Sequence, residues 1–225
     1  MAVALIVAAG RGERLGSGRP KALVIVAGQP MLHWSVAALR RVAEVEQIIV
    51  ALPADSLDAA PPGTVAVAGG EVRSQSVAAA LQAAGSAGDP VIVHDAARPL
   101  VTPELFENAL SELESSGADA VVAAAPVTDT IKQARRGTLR VERTLERSRL
   151  WAVQTPQVFR RQMLERHVAG ASAELLAQAT DEAWLIEQAG GSVMILPAPA
   201  HNLKITTPHD LHVAELLLAQ RGGLA

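Results

Sequence analysis

The sequence predicts an α/β fold in which helices cover both faces of a mostly parallel sheet, a doubly wound, Rossmann-like arrangement. Short apolar runs rich in β-branched residues alternate with alanine- and leucine-rich helical patterns, which is typical of consecutive βαβ units. Several runs are apolar at every position, as strands are when both faces of their sheet are covered. The 225 residues, 49% of them hydrophobic, can bury a large core. We therefore expect a single domain over residues 1–225.

The elements follow one another at regular spacing along the chain. Strands are predicted at Val3–Val7, Gln47–Leu52, Thr64–Ala68, Val91–His94, Ala120–Ala125 and Ser192–Leu196. Helices are predicted at Pro30–Arg41, Arg73–Ala84, Pro103–Ser116, Thr180–Ala189 and Pro208–Gln220. Thr102-Pro103 and Thr207-Pro208 each place a capping residue before a first-turn proline, which favours a helix start at both places.

The segment at about 127–153 interrupts this alternation. It lacks helical periodicity, and Gly137 favours a hairpin turn between Thr130–Gln133 and Leu139–Val141. It also holds six arginines, Arg135, Arg136, Arg140, Arg143, Arg147 and Arg149. Two interpretations stay open, a solvated excursion or an arm that docks on a second subunit.

Composition and charge exclude several classes of protein. A net charge of −3 and a pI near 6.1 argue against nucleic-acid binding, which usually requires a basic surface. The chain has no cysteine, so disulfides and thiolate metal sites are excluded. We find no targeting segment and no run of about 18 apolar residues. We expect a cytoplasmic protein that does not contact a membrane.

The loop after the first strand carries the strongest chemical signal. It reads Ala8-Ala9-Gly10-Arg-Gly12-Glu-Arg14 and is followed by Lys21. Glycines allow backbone amides to approach an anion, and the two cations can neutralise it. The dinucleotide pattern needs a glycine where Leu15 stands, and the chain contains no Gly-Lys pair for a Walker loop. The loop predicts a nucleoside triphosphate site, with an ordinary strand-to-helix turn as the alternative.

Two further strand ends carry polar residues. In a parallel sheet the ligand lies beyond the carboxyl ends of the strands. Gly69-Gly70-Glu71 leads toward Ser76 on a helix, and Asp95-Ala96-Ala97-Arg98 follows the fourth predicted strand. Asp95 is placed to hold Mg²⁺ against phosphate oxygens. A structural ion pair between Asp95 and Arg98 is the alternative.

These motifs together resemble one family along essentially the whole chain. The quoted segments are Ala8–Arg14 with Pro20-Lys21, Gly69-Gly70-x-x-Arg73-x-x-Ser76, His94–Pro99, Asp129-Thr130, Trp151 with Thr155–Gln157, Thr180–Glu182 and Asn202–Lys204. They occur in the order found in the 2-C-methyl-D-erythritol 4-phosphate cytidylyltransferases. That family couples CTP to methylerythritol phosphate in non-mevalonate isoprenoid synthesis.

The resemblance implies a role for each matching residue. It implies a nucleotidyltransferase fold, Mg²⁺ as cofactor, CTP and methylerythritol phosphate as substrates, and a homodimer that exchanges the arm. Catalytic cations would be Arg14, Lys21 and Lys204. CTP would contact Ala8, Ala9, Gly10, Gly12, Gly70, Glu71, Ser76 and Ala96, with Ser76 and the amides near Gly70 reading cytosine. The acceptor would contact Asp95, Arg98, Thr130, Arg147, Thr155 and Thr180, with Thr130 and Arg147 reaching the other subunit's site; Asp95 holds either Mg²⁺ or the polyol.

Two alternatives belong to other classes of function. A ribitol 5-phosphate cytidylyltransferase would keep the reaction and change the acceptor. Ala97 favours methylerythritol phosphate, since the ribitol enzymes tend to carry a larger residue there. A non-catalytic nucleotide-binding regulator would be expected to have lost a charged site residue. The sequence has all five charged residues that the resemblance implies, namely Arg14, Lys21, Asp95, Arg147 and Lys204.

Overall fold

The computed structural model describes residues 1–12, 15–16 and 18–222. The strands among them are β1 (Ala2–Val7), β2 (Ile25–Val26), β3 (Gln29–Pro30), β4 (Val45–Leu52), β5 (Val65–Ala68), β6 (Val91–Asp95), β7 (Ala120–Pro126), β8 (Lys132–Ala134), β9 (Val141–Thr144), β10 (Trp151–Phe159) and β11 (Val193–Pro197). The α-helices are α1 (Met31–Leu39), α2 (Arg73–Ala83), α3 (Pro103–Ser116), α4 (Arg161–Leu164), α5 (Ala173–Gln178), α6 (Glu182–Gln188) and α7 (Pro208–Gly222).

Seven strands form one sheet in the order β11-β7-β10-β6-β1-β4-β5. β1 pairs in parallel with both β4 and β6, and β11 pairs in parallel with β7. β10 is antiparallel to both of its neighbours, β6 and β7. From β1 the chain first builds outward through β4 and β5, then returns to the opposite side of β1 with β6. The strand order therefore reverses between β1 and β6.

The two faces of the sheet carry separate cores. Alternate residues of β1 point in opposite directions: Ala4 and Ile6 pack with α1 and α3, and Val3 and Leu5 pack with α2, α4 and α6. All four are fully buried. A third cluster joins α7 to the β2–β3 hairpin. The predicted doubly wound α/β class is confirmed.

The main element missing from the sequence prediction is β10. Its polar stretch and Pro156 argue against a central strand, because proline cannot donate to the ladder. In the structure, the pairing of β10 with β7 shifts register between Val153 and Gln157. The irregularity contains Pro156, and Gln157–Phe159 then pair with β6 as well. The strand accommodates the proline within an interruption of its own ladder.

The remaining differences are smaller. The β2–β3 hairpin, α4, the π-turn at Glu165–Ala169 and α5 are elements that the sequence did not predict. The predicted hairpin in the 127–153 segment exists as β8 and β9, with the Gly137 turn at φ +76°. We call residues 127–150 the arm. At its base the Val127 amide donates to the Leu150 carbonyl at 3.1 Å.

One finding concerns membranes. No helix in the described part of the chain combines the length and the apolar character needed to cross a bilayer.

Candidate active site

A cavity of about 1080 Å³ opens where the strand order reverses. In open α/β sheets this crevice beyond the strand ends is where ligands bind. The loop after β1, the turn after β5, the residues after β6 and the segment before α7 line it together. Of the predicted site residues, those lining it are Ala8, Ala9, Gly10, Gly12, Lys21, Gly70, Glu71, Ser76, Asp95, Ala96 and Lys204.

The loop after β1 folds back so that its lysine lies against its second glycine. The Lys21 amide donates to the Gly10 carbonyl at 3.0 Å. Gly12 has φ +70°, and a Cβ added there would lie 2.9 Å from the Lys21 Cβ. Gly12 is required both by its left-handed backbone and by this close approach. The predicted catalytic residue Arg14 lies outside the described residues.

The turn after β5 packs tightly against its surroundings. A Cβ on Gly69 would lie 2.4 Å from the Ala9 Cβ, and a Cβ on Gly70 would lie 2.4 Å from the Gln75 Cβ. The two glycines therefore bring this backbone close to the loop after β1 and to the first turn of α2.

The amides of this turn are used within the protein. The Gly70 amide donates to Ser76 Oγ at 3.1 Å, and the Glu71 amide donates to Gln75 Oε1 at 2.9 Å. The Gly69 amide donates to the Leu52 carbonyl at 2.7 Å. The amides near Gly70, predicted to read cytosine, thus already have internal partners in this arrangement, and their contact with a base stays a prediction. The acceptors of the turn, its carbonyls, are the groups that suit a base amine.

Asp95 at the end of β6 holds two cations at once. Its Oδ1 lies 3.0 Å from Arg73 Nε, and its Oδ2 lies 2.7 Å from Lys204 Nζ. Burial alone would raise the pKa of the Asp95 carboxyl, but attraction to Arg73 and Lys204 outweighs burial and holds that pKa below its usual range. Asp95 is therefore a charged anchor at the floor of the cavity.

A second carboxylate lies behind this anchor. Glu182, the first residue of α6, pairs with the Arg73 guanidinium and is fully buried. Burial raises the pKa of the Glu182 carboxyl against the opposing attraction of Arg73. Burial also opposes the Arg73 charge, but Glu182 and Asp95 together raise the Arg73 pKa. The sequence did not predict the ion pair of Arg73 and Glu182. The available signals were that Arg73 belongs to a motif quoted above and that Asp181 and Glu182 lie at a predicted helix start.

Lys204 lies beside Asp95 because hydrogen bonds hold the chain on both sides of it, at Asn202 and at Ile205. The buried Asn202 side chain donates to Gln154 Oε1 at 2.8 Å and to the Thr155 carbonyl at 2.9 Å. The Ile205 amide donates to the Ala97 carbonyl at 2.8 Å. Residues on either side of Lys204 are thus tied to β10 and to the loop after β6, which places its ammonium group.

Arg98 does not pair with Asp95 as the structural alternative supposed. Its guanidinium donates to the Asn202 carbonyl at 2.7 Å and the Val153 carbonyl at 3.4 Å. Burial lowers the pKa of this guanidinium. Arg98 lies beneath the site and holds the segment that carries Lys204.

Thr155 is buried in a small polar cluster under the cavity. Its Oγ1 accepts from the Asp95 amide at 3.1 Å and is joined to His94 Nδ1 at 2.9 Å. His94 Nε2 lies 3.3 Å from Ser35 Oγ. Burial lowers the pKa of His94 to about 3, so its ring is neutral. These contacts tie β10 and α1 to the end of β6, where His94 and Asp95 lie.

The predicted acceptor contacts on the arm stand apart from the cavity. Thr130 and Arg147 are exposed, and Arg147 Nη1 donates to the Thr128 carbonyl at 2.8 Å. Thr180 is exposed and precedes the cap of α6, which is Asp181, whose side chain accepts from the Trp184 amide at 2.9 Å. Among the described residues, Thr130, Arg147 and Thr180 do not line the cavity of their own chain.

The donor set does not fit a metal ion held by the protein. Both oxygens of Asp95 are paired with cations, and the Glu182 carboxylate is buried behind Arg73. Over the described ranges, no group of three or more histidine and acidic side chains is placed to hold a metal. Asp95 as a Mg²⁺ ligand would require the loss of one of its ion pairs.

Comparison with known proteins identifies the family. The model of the 2-C-methyl-D-erythritol 4-phosphate cytidylyltransferase (IspD) family matches residues 2–220. The chain belongs to this family. Cytidylyltransferases of that name from Frankia casuarinae and Deinococcus radiodurans are both 45% identical to it, covering 96% and 98% of this chain and 81% and 90% of theirs. The resemblance inferred from the motifs is confirmed.

Solved structures of cytidylyltransferases have the same fold. The crystal structure of 2-C-methyl-D-erythritol 4-phosphate cytidylyltransferase from Thermus thermophilus is 33% identical, with a TM-score of 0.79 over 97% of this chain and 100% of that chain. The Francisella tularensis cytidylyltransferase is 31% identical, with a TM-score of 0.81 over 96% and 99%.

Proposed function

We propose that the protein transfers CMP from CTP to 2-C-methyl-D-erythritol 4-phosphate, releasing pyrophosphate and forming 4-diphosphocytidyl-2-C-methyl-D-erythritol. The observation that carries this proposal is the convergence of Lys21 and Lys204 on one cavity, with Lys204 fixed by Asp95. Membership of the cytidylyltransferase family supports both substrates. The charged residues of the site are retained, which argues against a regulator without activity.

The main obstacle to this reaction is charge. CTP carries about four negative charges and the acceptor phosphate nearly two. Lys21 lies against the glycine loop that would cradle the triphosphate, and Lys204 approaches from the segment before α7. Arg11, Arg19 and Arg73 also line the cavity. Cations from several directions lower the cost of bringing two anions together before reaction.

The chemical step is an in-line displacement. An oxygen of the methylerythritol phosphate attacks the α-phosphorus of CTP and forms a new P–O bond. The bond from that phosphorus to the oxygen bridging the α and β phosphates breaks, and its electron pair leaves on pyrophosphate. Lys21, and Arg14 by family resemblance, would stabilise the charge developing on the leaving group, and Lys204 would hold the α-phosphate or the attacking phosphate.

Mg²⁺ enters this proposal as part of the substrate. Phosphate oxygens are ligands that Mg²⁺ prefers, and it usually keeps several waters and few protein ligands. The MgCTP complex would then need no carboxylate from the protein. Asp95 would instead fix Lys204 and accept from a polyol hydroxyl of the second substrate.

The base would lie against the turn after β5. Cytosine presents an amino group, which donates, and a ring nitrogen, which accepts. The carbonyls of Gly69 to Glu71 would accept from the amino group, and the Ser76 hydroxyl would donate to the ring nitrogen. A wrong base would leave buried polar groups unpaired, which gives strong discrimination.

The arm would complete the site of a second subunit. Apolar side chains are exposed on and beside it: Leu139 is 98% exposed, Val141 54% and Val153 46%. Such side chains on a protruding hairpin suit a covering partner. In a two-fold dimer each arm would reach the other cavity, so Thr130 and Arg147 would meet the acceptor bound there.

The testing experiment measures pyrophosphate release by the purified protein with CTP and Mg²⁺. Parallel reactions contain methylerythritol 4-phosphate, ribitol 5-phosphate or no acceptor, and UTP and ATP replace CTP as controls. We expect release that requires methylerythritol phosphate and prefers CTP. Release only with ribitol phosphate would overturn the acceptor assignment, and absence of release with every pair would overturn the catalytic assignment.

A further inference from the structure

Gln75 holds the backbone of the turn that we place against the base. Its Oε1 accepts from the Glu71 amide at 2.9 Å and from the Val72 amide at 3.4 Å. Gln75 is the third residue of α2, the position from which a side chain reaches back to the residues before a helix. Its Cβ lies where a Cβ on Gly70 would approach to 2.4 Å. Gln75 therefore packs directly against the turn and binds two of its donors.

The consequence concerns which polar groups the turn can offer. Ser76 Oγ takes the Gly70 amide at 3.1 Å, so three successive amides, those of Gly70, Glu71 and Val72, donate to two side chains of α2. A peptide unit whose N–H is used internally offers only its carbonyl to a ligand. The turn is therefore a surface of hydrogen-bond acceptors.

An acceptor surface that faces position 4 of the pyrimidine ring distinguishes cytosine from uracil. Position 4 carries an amino donor in cytosine and a carbonyl acceptor in uracil. Carbonyls facing position 4 pair with cytosine and repel uracil, whereas an unpaired amide in the same place would pair with uracil.

We propose that Gln75 is a positioning residue for base selection, which keeps the turn free of available donors by holding the Glu71 and Val72 amides. This inference rests on the proposed function, because it takes the base to lie against this turn. Gln75 does not touch the reacting phosphates and acts through the backbone that it holds. Its removal releases the Glu71 amide as a donor and admits UTP.

Three variants separate this role from a general loss of structure. Gln75→Leu removes the acceptor and keeps most of the volume. Gln75→Glu keeps an oxygen that accepts from both amides. Gln82→Leu makes the same change two turns along α2 at an exposed position, and serves as the matched control. If Gln75→Leu does not fold, as judged by circular dichroism and thermal unfolding, Gln75→Ala is measured in its place.

The readout is the ratio of kcat/KM for CTP to kcat/KM for UTP, with calorimetric binding of CTP and UTP as a measurement independent of turnover. We expect the ratio to fall at least about tenfold in Gln75→Leu, since a single mispaired polar contact accounts for that much discrimination. Gln75→Glu and Gln82→Leu should keep the wild-type ratio. A Gln75→Leu variant that loses activity equally with both nucleotides, or a Gln75→Glu variant that admits UTP, would overturn the inference.

The outcomes also distinguish this inference from the proposed function. Wild-type protein that releases no pyrophosphate from CTP with methylerythritol phosphate contradicts the proposed function. Calorimetry then still tests Gln75, because selective binding of CTP over UTP by wild type, and its loss in Gln75→Leu, needs no reaction. Wild-type activity with an unchanged nucleotide ratio in Gln75→Leu contradicts the Gln75 inference alone.

Discussion

Lys204 Nζ lies 2.7 Å from Asp95 Oδ2, while Arg73 Nε lies 3.0 Å from the other oxygen of the same carboxylate. The Lys204 side chain is still 41% exposed toward the cavity. One buried anion thus orients a cation whose outer side remains open to a ligand. The entropy lost in ordering the Lys204 ammonium group is therefore lost when the protein folds, before the substrate binds.

Lys204→Gln should reduce turnover far more than stability. A cation aimed at transition-state charge is worth about 3 kcal/mol, so we expect kcat to fall by two orders of magnitude or more. The melting temperature should change little, because the side chain is partly exposed and Asp95 keeps Arg73. Steady-state kinetics and thermal unfolding provide the two readouts. Arg166→Gln, at an exposed position away from the cavity, is the control, and equal losses of activity in both variants would contradict the assignment.

Arg73→Met should destabilise the fold strongly. It leaves the buried Glu182 carboxylate without its cation, and breaking a buried pair from one side typically costs about 3–5 kcal/mol. The double variant Arg73→Met with Glu182→Gln removes the stranded charge and should recover part of the loss. Denaturant unfolding of both single variants and the double measures the coupling. Strictly additive losses would show that the two side chains do not interact.

The neutral ring of His94 should make folding stability depend on pH. Its pKa is lowered by burial from about 6.5 to about 3, so below pH 6.5 the unfolded chain binds a proton that the native state does not. Its contribution is complete above about pH 6.5 and is lost progressively as the pH falls toward 3. Between pH 7 and pH 5 the wild type should lose about 2 kcal/mol more than His94→Gln. Parallel curves for the two proteins in denaturant titrations would contradict this.

Mixed dimers test the exchange of the arm. If the site is composite, Arg147→Ala and Lys204→Gln inactivate different halves of it. A heterodimer of the two variants would contain one intact site, so mixing equal amounts after subunit exchange should restore about a quarter of wild-type activity. Each variant mixed only with itself should stay inactive. A mixture as inactive as its components would place both residues in the same subunit's site.

The alternation of elements and the loop after β1 could be predicted because both are local signals. Gly12 and Lys21 are close in sequence, and strand ends meet at one edge of a parallel sheet by topology. The pair of Arg73 and Glu182 could not be predicted, since it joins α2 to α6 across 109 residues and depends on how two helices pack on the same face. β10 was not predicted because proline cannot donate to a strand ladder, so Pro156 argues against a central strand. In the structure Pro156 lies where the pairing of β10 with β7 is interrupted.

The commitment of turn amides to Ser76 and Gln75 could not be predicted for a related reason. Glycines at a strand end indicate a close backbone approach, but they do not say whether the N–H or the carbonyl faces the ligand. That choice is set by side-chain acceptors on α2, at 2.9 Å and 3.1 Å, which only coordinates reveal.

The reversed direction of β10 has a consequence for how this enzyme family can diversify. β7 ends and β10 begins at the same edge, where Pro126 is the register partner of Trp151. Residues 127–150 therefore leave and re-enter the sheet at adjacent positions, as an insert between two paired strand ends. The length and charge of this insert can therefore change without shifting a strand or a core residue of the sheet.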